Sequence, residues 1–239
     1  MASKSLIVDN KTFDISYEIV NASSKKDIIF LHGWGSNKDI MKNVFSPFFK
    51  DFRHIYIDLP GFGKSANEYE LKTEDYVKIT EEFLILLNSS KDIIAGHSYG
   101  GKVATLLNPK NLVLLSSAGI LEEKSFDVKF KITIAKFFNA LGLKKFTKIF
   151  RSADVNTMNE GMYATFKNVV NEDFTKNFKN YKNNALIFWG QKDTATSLES
   201  GKKIASLINS STFISYDGDH FFFVKNAKDI AKRVENGIL

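Results

Sequence analysis

The chain has 239 residues, 44% of them apolar and 25% charged, which suits one folded domain carrying an insertion and excludes wholesale disorder. It contains no cysteine, which excludes disulfides, thiolate metal sites, iron–sulfur clusters and a cysteine nucleophile. The net charge of +6 comes from 33 basic residues, of which only Arg53, Arg151 and Arg233 are arginine. Nucleic-acid recognition favours arginine forks, so the lysines read as compositional bias and no nucleic-acid partner is expected.

Eight short apolar runs read as strands in chain order: 4–8, 12–19, 27–31, 54–58, 93–97, 112–116, 185–189 and 212–216. The first two alternate and suit an antiparallel edge hairpin. IIFL, LVLL and ALIFW are continuous instead, as in parallel strands covered on both faces. Helical patterns fall between the strands at 39–49, 73–87, 99–107, 198–208 and 226–234. In the second of these, Tyr76, Ile79, Phe83 and Leu86 make one stripe. This alternation predicts an α/β class protein with a mostly parallel, doubly covered sheet of about eight strands. No run approaches ~18 apolar residues, so no membrane span is expected. The opening MASKSLIVDN lacks the ~7–15 apolar residues of a secretory signal, and a cytoplasmic location is expected.

Residues 120–184 break the alternation, with no convincing strand. Apolar positions recur at helical spacing through Phe130, Ile134, Phe137, Leu141, Phe146 and Ile149. This stretch has 12 Lys/Arg against 7 Asp/Glu, while the remainder has 21 against 20, so the excess charge resides in the insertion. It also holds 9 of the 22 phenylalanines. A helical insertion between sheet strands suits a lid with an aromatic inner face. The domain reading is therefore a core of 1–119 and 185–239 and a helical cap of 120–184.

The chemistry-bearing signal is Gly96-His97-Ser98-Tyr99-Gly100-Gly101, placed between a strand and a helix. That context is what a G-x-S-x-G nucleophile elbow needs: a sharp turn that lifts Ser98 Oγ above the sheet at a helix N-terminus. A serine nucleophile needs a base and a group that orients the base. Of four histidines, only His220 follows the last strand directly, and Asp193 follows the strand before it. Asp217 and Asp219 are sequence neighbours of His220 and rival partners, though adjacency does not aim a carboxylate at Nδ1. His32-Gly33-Trp34-Gly35 follows the third strand; the backbone N–H groups of Trp34 and Tyr99 are the expected oxyanion donors. His32 is expected to support that loop, His97 to pack beside the elbow and His54 to head a strand. Asp58-Leu59-Pro60-Gly61-Phe62-Gly63 lacks phosphate-loop spacing and reads as a structural loop. The histidines show no ligand spacing, and neither a metal nor another cofactor is expected.

LHGWG, DLPGFGKS, GHSYGG, WGQKD and GDHFFF together resemble the α/β-hydrolase superfamily over nearly the whole chain. The resemblance implies Ser98 as nucleophile, Asp193 as acid, His220 as base and 120–184 as cap. LHGWG and DLPGFGKS look most like carboxylesterases of the pimeloyl-carrier-protein methyl ester esterase type. Meta-cleavage-product C–C hydrolases are similar too, but typically carry Asn and Trp where this chain has His97 and Phe221. An aspartate nucleophile is absent. The helix after Ser98 ends early at Asn108-Pro109, which would leave one face of the sheet thinly covered.

The sequence thus predicts a serine hydrolase acting on a small-molecule ester or thioester of an apolar acyl group. C–C bond hydrolysis of a 2-hydroxy-6-oxo-dienoate is the alternative. A ligand-binding or carrier-docking protein with an idle triad is a second. Lys144, Lys148 and Arg151, with Lys145 beside them, share one helix face. That face is a solvated surface or a dock for an acidic acyl carrier protein.

Overall fold

The computed structural model of the chain describes residues 2–121 and 159–238. The expected cap helices within 130–150 and the basic face of Lys144, Lys145, Lys148 and Arg151 lie outside the described residues.

The strands are β1 (Ala2–Val8), β2 (Lys11–Val20), β3 (Lys26–Leu31), β4 (Phe52–Ile57), β5 (Ile93–His97), β6 (Asn111–Leu115), β7 (Asn184–Gly190) and β8 (Ser211–Tyr216). They form one sheet in the order β1-β2-β4-β3-β5-β6-β7-β8. From β4 to β8 all neighbours are parallel, while β1–β2 and β2–β4 are antiparallel. The edge hairpin turns on Asp9 and Asn10 at φ 49° and 62°. Paired positive φ values match the right-handed twist of the two strands.

Seven helices are described: α1 (Lys38–Phe45), α2 (Thr73–Leu86), α3 (Tyr99–Leu106), α4 (Glu160–Val170), α5 (Thr175–Asn180), α6 (Leu198–Leu207) and α7 (Phe223–Ile238). α1 packs on α7, while α2 and α5 flank α3, and α6 lies over β7 and β8. The sheet is thus covered on both sides, which is why Ile28, Ile29, Phe30 and Leu31 can be buried in succession. Rings knit one layer together: Phe30 stacks on Phe45 at 5.2 Å, and Phe45 on Phe223 at 6.0 Å.

Three expectations needed adjusting. α1 stops at Phe45, well before 49: Ser46 still donates its N–H to the Lys42 carbonyl, but Pro47 has no N–H to carry the ladder further. α7 starts within Phe221-Phe222-Phe223, where a run of one residue type carries no period to read. The short α3 does not leave the sheet bare: Tyr99 through Thr105 are all buried under α2 and α5.

Candidate active site

Ser98 stands between the last residue of β5 and the first of α3, at φ 51° and ψ −117°. Such a backbone costs about 1–3 kcal/mol and survives only where its surroundings over-determine it. Here the Ser98 N–H donates to the Leu115 carbonyl at 3.1 Å, and the Ser98 carbonyl accepts from Gly101 and Ala118 N–H groups, both at 3.0 Å. The flanking glycines are required by contact. A Cβ on Gly96 would lie 2.4 Å from the Gly100 carbonyl oxygen, and one on Gly100 would lie 2.5 Å from that of Leu31. Ser98 Oγ is buried and has no hydrogen-bond partner among the described residues. Tyr99 is the first helical residue, so its N–H has no intrahelical acceptor.

His220 lies in the loop after β8, and its Nδ1–H donates to Asp193 Oδ2 at 2.8 Å, with both side chains at most 1% exposed. Asp193 follows β7. Its Oδ1 accepts from the N–H groups of Ala195 at 2.8 Å and Thr196 at 3.0 Å. Its Oδ2 also accepts the Thr196 hydroxyl at 2.9 Å. Burial alone would raise the Asp193 pKa, but the attraction of His220 and these hydrogen bonds outweigh it and hold the carboxyl below its ordinary value. Asp217 pairs with Lys192 at 2.5 Å in the open, and Asp219 accepts from the Phe221 N–H at 2.9 Å. The structure therefore brings Asp193, rather than either rival, to His220 Nδ1.

The loop after β3 is fixed from beneath. His32 Nδ1–H donates to the Gly33 carbonyl at 2.8 Å, and its Nε2 accepts the Leu59 N–H at 3.0 Å. That pair defines the neutral tautomer, and burial holds the His32 pKa below 6.5. Leu59 belongs to the glycine-rich loop after β4, where fully buried Asp58 meets Lys38 Nζ at 2.8 Å and accepts the Lys38 N–H at 2.8 Å. The loop is structural, as its sequence suggested: it clamps α1 and the Trp34 turn together.

The opposite wall comes from α4. Phe166, Val169 and Val170 line a cavity of about 20 Å³ with Trp34, Ser98, Tyr99, Lys102 and Ala118. That is room for about one water molecule. Lys102, 2% exposed, donates from Nζ to the Val169 carbonyl at 2.5 Å and to Glu172 Oε2 at 2.7 Å. Its ammonium also faces the Tyr99 and Phe174 rings at 5.4 and 5.0 Å. Burial depresses the Lys102 pKa, and Glu172 only partly restores it. A far larger hollow of about 910 Å³ opens among Lys26, Phe48, Phe52 and Lys232. It lies at the amino ends of β3 and β4, the end of the sheet opposite Ser98, whereas open α/β sheets bind ligands at strand carboxyl ends.

Sequence reasoning missed the Lys38–Asp58 and Lys102–Glu172 pairs and the Thr196 hydroxyl on Asp193. A signal for Lys102 existed: one lysine in the otherwise uncharged, small-residue helix Tyr99–Leu106. Among the described residues no cluster of three or more His, Asp or Glu side chains could hold a metal ion, and no helix is long and apolar enough to cross a membrane.

The chain belongs to the alpha/beta hydrolase family, whose match spans residues 28–229. It is 33% identical over 147 residues to a pimeloyl-[acyl-carrier protein] methyl ester esterase of Wigglesworthia glossinidia brevipalpis, covering 52% of this chain and 55% of that relative. It is also 33% identical over 101 residues to the protein of the same name from Pseudoalteromonas atlantica, covering 40% and 38%. The matches therefore span about half the length of these curated relatives or less. Among solved structures, a hydrolase from Pseudomonas aeruginosa PA01 superposes with a TM-score of 0.78 at 19% identity, covering 97% of this chain and 96% of that one. A thermophilic esterase from Thermogutta terrifontis gives 0.79 at 16%, covering 100% and 98%. At these identities the superpositions establish the shared fold.

Proposed function

We propose that the protein is a serine esterase that cleaves a carboxylic ester or thioester of an apolar acyl group. The observation that carries this reading is the buried Asp193–His220 hydrogen bond of 2.8 Å, in a fold whose elbow presents Ser98 at the same end of the sheet. His220 Nε2 takes the Ser98 proton as Oγ bonds to the ester carbonyl carbon. The tetrahedral oxyanion accepts hydrogen bonds from the N–H groups of Trp34 and Tyr99, each donor being worth about 3–4 kcal/mol of barrier. Collapse breaks the bond to the alcohol or thiol, which leaves with the proton from His220. Water, deprotonated by His220, then releases the acid and restores Ser98. Asp193 keeps Nδ1 protonated and stabilises the transient imidazolium.

Residues 120–184 act as the cap in this reading, supported by the Phe166, Val169 and Val170 wall that α4 sets over Ser98. An acidic acyl carrier protein is the proposed macromolecular partner of the cap. Support comes from the names of the curated relatives and from the 12 Lys/Arg against 7 Asp/Glu in that stretch. A fluorophosphonate probe is expected to label Ser98 alone, and Ser98→Ala to abolish p-nitrophenyl ester turnover with the fold intact. Labelling at another residue would move the nucleophile. Normal labelling with negligible turnover across acetate-to-decanoate esters would instead favour a binding protein. Turnover of carrier-linked esters that ignores added salt would dismiss electrostatic docking.

A further inference from the structure

We infer that His97 is a positioning residue that joins the nucleophile elbow, the oxyanion loop and the backbone of the base through one imidazole. This rests on the triad reading above and deepens it. The ring is 1% exposed and lies in the last residue of β5, next to Ser98. Its Nε2–H donates to the backbone carbonyl of His220 at 3.1 Å, and its centroid is 4.6 Å from that of His220. Phe221 and Phe223 hold it from the base side, at 5.0 and 4.9 Å. On the oxyanion side it abuts Gly33, where an added Cβ would lie 3.0 Å from His97 Nδ1 and 3.1 Å from Ser98 Cβ. Holding the carbonyl of His220 anchors the backbone of the residue whose ring must face Ser98. A donor rooted beside Ser98 therefore sets the distance between nucleophile and base.

The tautomer matters as much as the contact. Nε2 carries the proton because it serves a carbonyl, and Nδ1 has no partner among the described residues. The titratable groups facing His97 are His220, Asp193 and His32. Burial, with His220 next in effect, keeps the ring neutral. Neutrality suits its place, because His220 becomes a cation during each turnover and a second one 4.6 Å away would oppose it.

The test compares His97→Leu, which removes the donor, with His97→Gln, whose amide N–H can reach the Nε2 position and never charges. His97→Leu is expected to lower kcat by ~10–100-fold with KM within about twofold, the size of effect that a small misplacement of reacting groups produces. His97→Gln is expected to keep kcat within ~3-fold of wild type, with a pH–rate profile of unchanged shape. The downfield proton NMR signal of the His220–Asp193 hydrogen bond should persist in the Gln variant and broaden or move in the Leu variant. Equal kcat in all three proteins would overturn the inference, as would equal losses in Leu and Gln or an unmoved proton signal. If the Leu variant fails to fold, His97→Asn, too short to reach the carbonyl, takes its place with the same expected losses. Fluorophosphonate labelling of wild-type Ser98 is run in parallel; its absence would overturn the triad itself, a different result from equal kcat with labelling intact.

Discussion

The two walls of the Ser98 cavity are built from different materials. On the sheet side, Ser98 itself is held by backbone: it bonds main chain to main chain with Leu115, Gly101 and Ala118, and glycines admit carbonyls at closer range than any side chain allows. On the α4 side, position is set by side chains. Asn159 Nδ2 donates to the Asn67 carbonyl at 2.8 Å, Thr165 Oγ1 accepts the Leu71 N–H at 2.9 Å, and Lys102 holds the Val169 carbonyl and Glu172. Backbone contacts tolerate little displacement, whereas side-chain contacts can be exchanged singly. The sheet wall is thus suited to holding a reacting geometry, and the α4 wall to admitting and sizing a substrate.

The comparison breaks most visibly at Asp193. Asp193→Asn should keep the acceptor that Ala195 and Thr196 use, and so keep the fold. It places an amide N–H against His220 Nδ1 and forces the wrong tautomer. kcat should fall by about 10⁴-fold, with the melting temperature nearly unchanged. A loss below about tenfold would show that the sheet wall does not set the chemistry. The α4 wall should respond in stability and specificity instead. Glu172→Gln leaves the Lys102 ammonium, 2% exposed, without its counter-charge and should cost about 3 kcal/mol. Lys102→Met should cost less, because Glu172 is 22% exposed and keeps some water. The double variant should recover part of the loss. Both single variants should shift the preferred acyl length more than kcat on the best ester. Calorimetry and an ester panel check this, and a lysine variant less stable than the glutamine variant would contradict it.

What was legible in the sequence follows the same division. All eight strands were visible: the edge hairpin β1–β2 by its alternation, and interior parallel strands such as β3, β6 and β7 by the continuous apolar runs that burial on both faces leaves. The elbow and the His220 and Asp193 loops were visible because each follows a strand directly. The α4 wall was not, since Glu172 reaches Lys102 and Thr165 reaches Leu71 across 70 and 94 positions of chain. No local period encodes such pairs. Lys38 and Asp58 escaped for a related reason. A lysine opening a helix reads as solvated, and only the packed fold reveals it as 1% exposed against a buried carboxylate. His97 was read as a packing residue because its acceptor is a backbone carbonyl, a partner that leaves no trace in residue type.

The smallest effect concerns protons and locates the acid-sensitive wall. His32, His54 and His97 all have pKa values pushed below 6.5, in each case chiefly by burial. Between their folded values and 6.5 the unfolded chain binds more protons than the folded one. Their contribution to stability is therefore complete above about pH 6.5 and is lost as pH falls below it, by at most ~1.4 kcal/mol per pH unit for each. Asp27, Asp58 and Asp193, held below 3.8, add a second loss that begins only under that value. All three histidines stand in the sheet or the loop leaving it, and residues 159–184 contain none, so mild acid should strain the sheet wall first. His54 isolates the effect away from catalysis: its Nε2–H donates to the Phe49 carbonyl at 2.9 Å and its Nδ1 accepts the Tyr56 hydroxyl at 2.8 Å. The melting temperature should fall between pH 7 and 5, and His54→Gln, which cannot take up a proton, should fall less steeply while its activity at pH 7 stays unchanged. Parallel slopes for the two proteins would mean that burial of His54 imposes no proton penalty, and a flat wild-type curve would remove the histidines from the acid response altogether.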